Sequence, residues 1–151
     1  MKIYLAQSML GYGGSQSDFV AKLRSALTSE GHTIYDPYEF ETDGLTDAEL
    51  VALDFSYVDK ADLLIAYLQR PSNGGGTYAE LFRAAFGGKA VIFVAPQKMY
   101  GPWMRHFTVA HVDTDAFSDV DAQVRATIDA AKAHFCPAPE KKIVSVELFR
   151  L

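Results

Sequence analysis

Only one cysteine, Cys136, occurs in 151 residues, so no internal disulfide framework exists and the reducing cytoplasm is the expected setting. Standing alone, Cys136 reads as a small buried hydrophobe rather than a nucleophile. Long apolar runs are missing too. The cleanest, Leu63 to Leu68 and Ala90 to Ala95, fall far short of the roughly 20 residues that span a bilayer. Near the amino end Ile3-Tyr4-Leu5-Ala6 stops at Gln7, too short for the core of a secretory signal. There is no basic excess. With 14 Lys and Arg against 19 Asp and Glu, the net charge of -5 argues against a nucleic-acid polymer or a membrane as partner. Neither G-x-G-x-x-G nor G-x-x-x-x-G-K-S/T occurs, which disfavours a dinucleotide fold and a P-loop ATPase, and the lack of G-x-S-x-G removes the usual serine hydrolase. His32, His106, His111 and His134 show no metal-ligand spacing, so no metal is expected.

What is present describes an ordinary folded chain. Hydrophobic residues at 49% and charged residues at 22% exclude disorder, coiled coil and collagen-like repeats. The length suits a single domain over 1–151, with 137–151 a tail that is charged and then apolar. Lys2 to Ala6 reads as a strand running into the glycine-rich Gly11 to Ser15. Phe19, Val20, Leu23 and Leu27 recur at helical spacing between Ser17 and Glu30, and Gly31 ends that pattern. His32 to Tyr35 predicts a second strand, closed by Asp36-Pro37, with an irregular acidic loop from Tyr38 to Asp43. A helix from Thr46 to Lys60 follows, with Thr46 as N-cap and Leu50, Val51, Leu53 and Val58 expected on its inner side.

The uninterrupted run Leu63 to Leu68 predicts a central strand covered on both faces. Beyond the loop Gln69 to Gly76 come a helix from Thr77 to Phe86, a break at Gly87-Gly88, and a further strand beginning at Lys89. An aromatic loop from Met99 to Met104, a strand around Phe107 to Val112 and a helix from about Ser118 to His134 complete the series. Alternation of this kind predicts an α/β protein: a doubly wound, flavodoxin-like or Rossmann-like five-stranded parallel sheet with helices on both faces. Ligands in that architecture sit beyond the carboxyl ends of the strands, which here carry loops 8–15, 69–77 and 95–104.

Those loops hold the candidate chemistry. Gly74-Gly75-Gly76 would let a backbone approach a ligand, and the helix starting just after them would turn free N–H groups toward it. Glu80 falls in the expected first turn, where the helix dipole favours its ionised form and a nucleophile could sit. Thr77-x-x-Glu80 is equally a capping box, in which Glu80 folds back on the Thr77 amide and does no chemistry. Asp54 is by itself a residue of a wet helix face, unless it meets Glu80. Two carboxylates about 5–5.5 Å apart can cleave a glycosidic bond with retention. Tyr4, on the strand expected beside Leu63 to Leu68 and near its carboxyl end, is either a core aromatic or a hydroxyl that holds Glu80. Tyr100, Trp103 and Phe107 either anchor their loop or form a stacking wall for a planar base.

In order and spacing, Lys2-Ile3-Tyr4-Leu5-Ala6, Asp54 ahead of Ala61-Asp62-Leu63-Leu64-Ile65-Ala66, Gly76-Thr77-Tyr78-Ala79-Glu80-Leu81, Gly88-Lys89-Ala90-Val91-Ile92 and Pro96 to Gly101 together resemble the nucleoside 2-deoxyribosyltransferase family. The resemblance runs from Met1 through the Tyr100 region. It implies that Glu80 is the nucleophile, that Asp54 contacts and protonates the base, and that Tyr4 orients Glu80. It further implies substrate contacts from Ser8, Tyr12, Ser72, Gly74, Gly76, Trp103 and Arg105, with a 2'-deoxynucleoside and a free nucleobase as substrates and no cofactor. A homodimer or an assembly of dimers is implied as well, with Val144, Val146, Leu148 and Phe149 of the tail as interface or lid. Two departures stand out: Ser72 to Gly76 lacks the acid that holds the sugar hydroxyl in members acting on free nucleosides, and Arg105 stands where some members place a neighbouring subunit's Asn. Arg105 could reach a phosphate, and Pro71-Ser72-Asn73-Gly74-Gly75-Gly76 looks like the loop of the related nucleoside 5'-monophosphate N-hydrolases. Base transfer is therefore the expected activity and hydrolysis of a deoxynucleoside monophosphate the alternative. A nucleotide-binding module without catalysis is the reading from another class.

Overall fold

The computed structural model describes residues 1–8, 17–70 and 75–135. Cys136, the tail, and the candidate contacts Tyr12, Ser72 and Gly74 lie outside the described residues. Five strands, β1 (Lys2–Gln7), β2 (Thr33–Tyr35), β3 (Leu63–Tyr67), β4 (Ala90–Ala95) and β5 (Ala110–Asp113), form one parallel sheet in the order β2-β1-β3-β4-β5. This is the expected doubly wound architecture, and its strand order reverses between β1 and β3, where such folds bind ligands.

Among the described residues five α-helices alternate with and follow the strands: α1 (Asp18–Ser29), α2 (Asp47–Lys60), α3 (Gly75–Phe86), α4 (Pro102–Phe107) and α5 (Val120–Lys132). Side-chain alternation divides the core between the two faces of the sheet. Ile3, Leu5, Leu63, Ile65, Ile92 and Val94 pack against Phe19, Leu23 and Leu27 of α1 and Val124, Ile128 and Ala131 of α5. Tyr4, Ala6, Leu64, Ala66, Val91 and Phe93 face Val58 of α2, Leu81 and Ala84 of α3, and Met104 of α4. Every side chain of β3 is buried, which is why its sequence lacks alternation.

The local signals explain most boundaries. Ser17 caps α1 by accepting from the Val20 N–H, and Gly31 follows that helix at φ +86°, where a side chain would be strained. Thr46 and Glu49 close a reciprocal capping box at the start of α2. Three expectations fail. Leu50 and Val51 are 37% and 50% exposed, because the first half of α2 lies outside the packed layer and only Val58 of that helix is fully buried. Phe107 ends α4 instead of opening a strand; Pro102 at the first turn starts a short helix in what reads as loop, and β5 begins at Ala110. α3 begins at Gly75, ahead of Thr77, with consequences for the site.

Candidate active site

β1 and α3 bring Tyr4 and Glu80 together. Tyr4 is the third residue of β1, mid-strand rather than at its carboxyl end, and is fully buried beside Leu64 of β3. Its hydroxyl donates to Glu80 Oε1 across 2.8 Å. Beyond it toward the carboxyl edge, β1 and β3 carry the small Ala6 and Ala66, paired in register on the same face.

Helical spacing sets the other half. Thr77, Glu80, Leu81 and Ala84 form the buried stripe of α3, and Glu80 is 6% exposed. Because the helix starts at Gly75, Thr77 is not its cap, and no capping box forms: Glu80 bonds to Tyr4, while the Thr77 hydroxyl has no hydrogen-bond partner among the described residues. The same shift moves Glu80 into the second turn, beyond the strongest part of the helix dipole. The expected ionised carboxylate is corrected accordingly. Glu80 is pushed up to about 8, mainly by burial; the Tyr4 hydrogen bond pulls the other way, and the charge of Asp54 adds to the rise.

Asp54 comes from α2, half-buried, and burial holds its carboxyl above the ordinary value. The negative charge of Asp54 is felt at both Tyr4 and Glu80. Burial first, then these two carboxylates, raise the Tyr4 phenol far above its usual range, so it remains a donor. One turn on from Asp54, Tyr57 stacks on Phe40 with centroids 4.2 Å apart, and the Phe40 ring lies 6.4 Å from that of Tyr4. Phe40 is thus an aromatic beside Tyr4 and Tyr57 that reading Tyr38 to Asp43 as an acidic loop overlooks; its sequence signal is an aromatic just past β2.

The remaining candidates divide. Ser8 follows β1 and is buried. Gly76 is exposed in the first turn of α3, with open space where a Cβ would stand. Trp103 and Phe107 do not form a wall over Glu80. They pack with Phe82 and Phe86, ring centroids 5.1 to 6.5 Å apart, and Trp103 is 69% exposed. Tyr100 stacks on His111 at 4.0 Å, held by the short turn over Gln97–Met99 and by Phe93 beneath it. Arg105 donates to the Tyr100 carbonyl oxygen at 3.2 Å, fastening its own segment. A surface cavity of about 650 Å³ along α1 and β2, lined by Arg24, Thr28, His32 and Glu39 among others, includes none of these candidates. Among the described residues, no group of three or more His, Cys, Asp or Glu could hold a metal ion, and no helix is long and apolar enough to cross a membrane.

No family model matches the chain. A protein of Thermofilum pendens named "Putative 2'-deoxynucleoside 5'-phosphate N-hydrolase 1" is 30% identical over 133 residues, covering 82% of this chain and 90% of the relative. A 2-deoxyribosyltransferase of Bacillus psychrosaccharolyticus superimposes with a TM-score of 0.58 at 20% identity, over 81% of this chain and 89% of its own. The CMP N-glycosidase of Clostridium botulinum superimposes with a TM-score of 0.64 at 16% identity, over 85% and 98%. The two structures share the fold, while the relative carries sequence kinship across nearly its whole length. The chain belongs to the family of nucleoside 2-deoxyribosyltransferases and their related 2'-deoxynucleoside 5'-phosphate N-hydrolases.

Proposed function

We propose that this chain is an enzyme that breaks the N-glycosidic bond of a 2'-deoxynucleoside through a covalent deoxyribosyl intermediate on Glu80, and passes the sugar to a second base. The supporting observation is the buried 2.8 Å hydrogen bond from Tyr4 to Glu80, with the charge of Asp54 felt at both groups. Tyr4 occupies Oε1, which leaves Oε2 for carbon. In the first step Oε2 attacks C1', the bond to the base nitrogen breaks with its electron pair, and Asp54 gives that nitrogen a proton. In the second step the nitrogen of an incoming base attacks C1', Asp54 takes its proton back, and the Glu80 carboxylate departs with overall retention. No cofactor enters either step. Gly76 and Ser8, with Tyr12, Ser72 and Gly74, are the proposed sugar and base contacts. Trp103 and Arg105 belong to a surface where a second copy would complete a homodimer or an assembly of dimers. The reading keeps the enzyme in the cytoplasm as one domain.

A second reading is favoured by the Thermofilum pendens relative: water replaces the acceptor base, and the substrate is a 2'-deoxynucleoside 5'-monophosphate. Incubation with deoxyinosine plus adenine, then with a deoxynucleoside monophosphate alone, separates the two by chromatography. Deoxyadenosine marks transfer, and free deoxyribose 5-phosphate marks hydrolysis. Neither product, from folded protein, contradicts both.

A further inference from the structure

Among the described residues three threonines sit buried on α-helices or at their ends, and one differs from the others. Thr108 gives its hydroxyl to the Met104 carbonyl at 2.6 Å, and Thr127 gives its own to Gln123 at 2.8 Å, the usual outlet four positions back. Thr77 is the third residue of α3, so no carbonyl of that helix lies four positions back. Its hydroxyl is buried, the residue is 2% exposed, and no partner exists among the described residues. A buried hydroxyl without an acceptor is costly, and a valine of the same shape would avoid that cost.

One turn further along the same buried stripe stands Glu80. Its carboxyl receives a hydrogen bond from Tyr4, and among the described residues no second donor reaches it. A carboxylate this deeply buried needs more than one donor to carry its charge. The groups whose charge bears on it are Tyr4 from β1, protonated, and Asp54 from α2, which opposes ionisation. The unspent donor and the under-supplied acceptor therefore share one helix face.

We infer that the Thr77 hydroxyl is the second hydrogen-bond donor to Glu80, engaged when that carboxyl loses its proton and idle while it keeps it. Thr77 is then a positioning residue: it holds the nucleophile's charge without touching substrate. This deepens the proposed role of Glu80 and rests on it for its catalytic meaning, but the coupling itself is a property of the free protein.

The test is thermal unfolding of wild type, Thr77→Val and Thr77→Ser, each also in a Glu80→Gln background, at pH of about 5.5 and about 9, on either side of the value to which Glu80 is pushed. At the lower pH the hydroxyl is idle, so Thr77→Val melts higher than wild type, by about 2–4 °C. At the higher pH it melts lower, by a similar margin. Thr77→Ser follows wild type, and in the Glu80→Gln background the two pH values give Thr77→Val the same shift. In activity, Thr77→Val moves the acid limb of the kcat/KM profile to higher pH, and Thr77→Ser restores it. A Thr77→Val shift of one sign at both pH values, or a crossing that survives Glu80→Gln, overturns the inference. Turnover by Glu80→Gln would instead refute the proposed function, whatever the melting curves show.

Discussion

Tyr4 and Glu80 stand 76 positions apart in the chain and meet in a buried hydrogen bond of 2.8 Å. Each solves a problem for the other. The phenol is fully buried and would otherwise lack an acceptor, a deficit of about 1–3 kcal/mol. Meanwhile the carboxyl gains the donor that makes its anion accessible at all. Stability and reactivity are thus tied to the same contact.

Removing that contact has a signed consequence. The Tyr4 bond lowers the Glu80 carboxyl against burial and the charge on Asp54, so Tyr4→Phe pushes it higher. The acid limb of kcat/KM, which reports ionisation of the nucleophile in the free enzyme, moves to higher pH, and activity at neutral pH falls by about tenfold or more. A pH–rate profile of both proteins checks this; an unmoved limb would detach Tyr4 from the nucleophile.

Glu80 also makes stability depend on pH. Unfolded it titrates near the ordinary 4.5, and folded it is pushed up to about 8. Between those values the folded chain retains a proton that the unfolded chain has released, so stability falls as pH rises through the window. Asp54, raised by burial, adds in the same direction from 3.8 upward. Glu80→Gln should match wild type near the bottom of the window and melt higher near the top. Melting curves at several pH values measure the difference, and parallel wild-type and variant curves would deny it.

Asp54→Asn separates two effects. Without the aspartate charge Glu80 ionises more readily, so the acid limb moves to lower pH. Without the proton donor, departure of a neutral base slows by about 10²–10⁴-fold. A 7-methylpurine deoxynucleoside, whose base is already cationic, should be largely spared. Equal losses on both substrates would show that Asp54 does not supply the proton.

Phe86 and Trp103 expose large rings, 74% and 69%, beside Phe82 and Phe107. Contiguous apolar surface of this kind marks a contact site, and a second copy is the proposed occupant. Light scattering should give at least twice 16.6 kDa, and Phe86→Asp combined with Trp103→Asp should return the chain to that mass. A wild-type monomer would remove the dimer from the account.

Several features are readable in the sequence because local chemistry decides them. The stripe Phe19, Val20, Leu23, Leu27 and the unbroken run of β3 state their burial directly, and Gly31 and Thr46 mark ends by cap chemistry. What escapes depends on distant partners. Periodicity in α2 shows an apolar face but not that the packed layer stops before Leu50 and Val51. A Thr-x-x-Glu spacing looks the same whether a helix opens at Thr77 or two glycines earlier, and only the Tyr4 hydroxyl distinguishes them. Likewise Trp103 turns toward Phe82, whereas Phe40 approaches Tyr4, a choice made by how α3, α4 and the segment after β2 pack.

Covalent attachment of the sugar to Glu80 is the step on which the account stands. A 2'-deoxynucleoside carrying fluorine at C2', which slows release of the bound sugar, allows intact-protein and peptide mass spectrometry to find it. The predicted result is one added fluorodeoxyribosyl group, on the peptide containing Glu80, absent in Glu80→Gln. An adduct on another residue, or rapid turnover of natural substrate by Glu80→Gln, would contradict it.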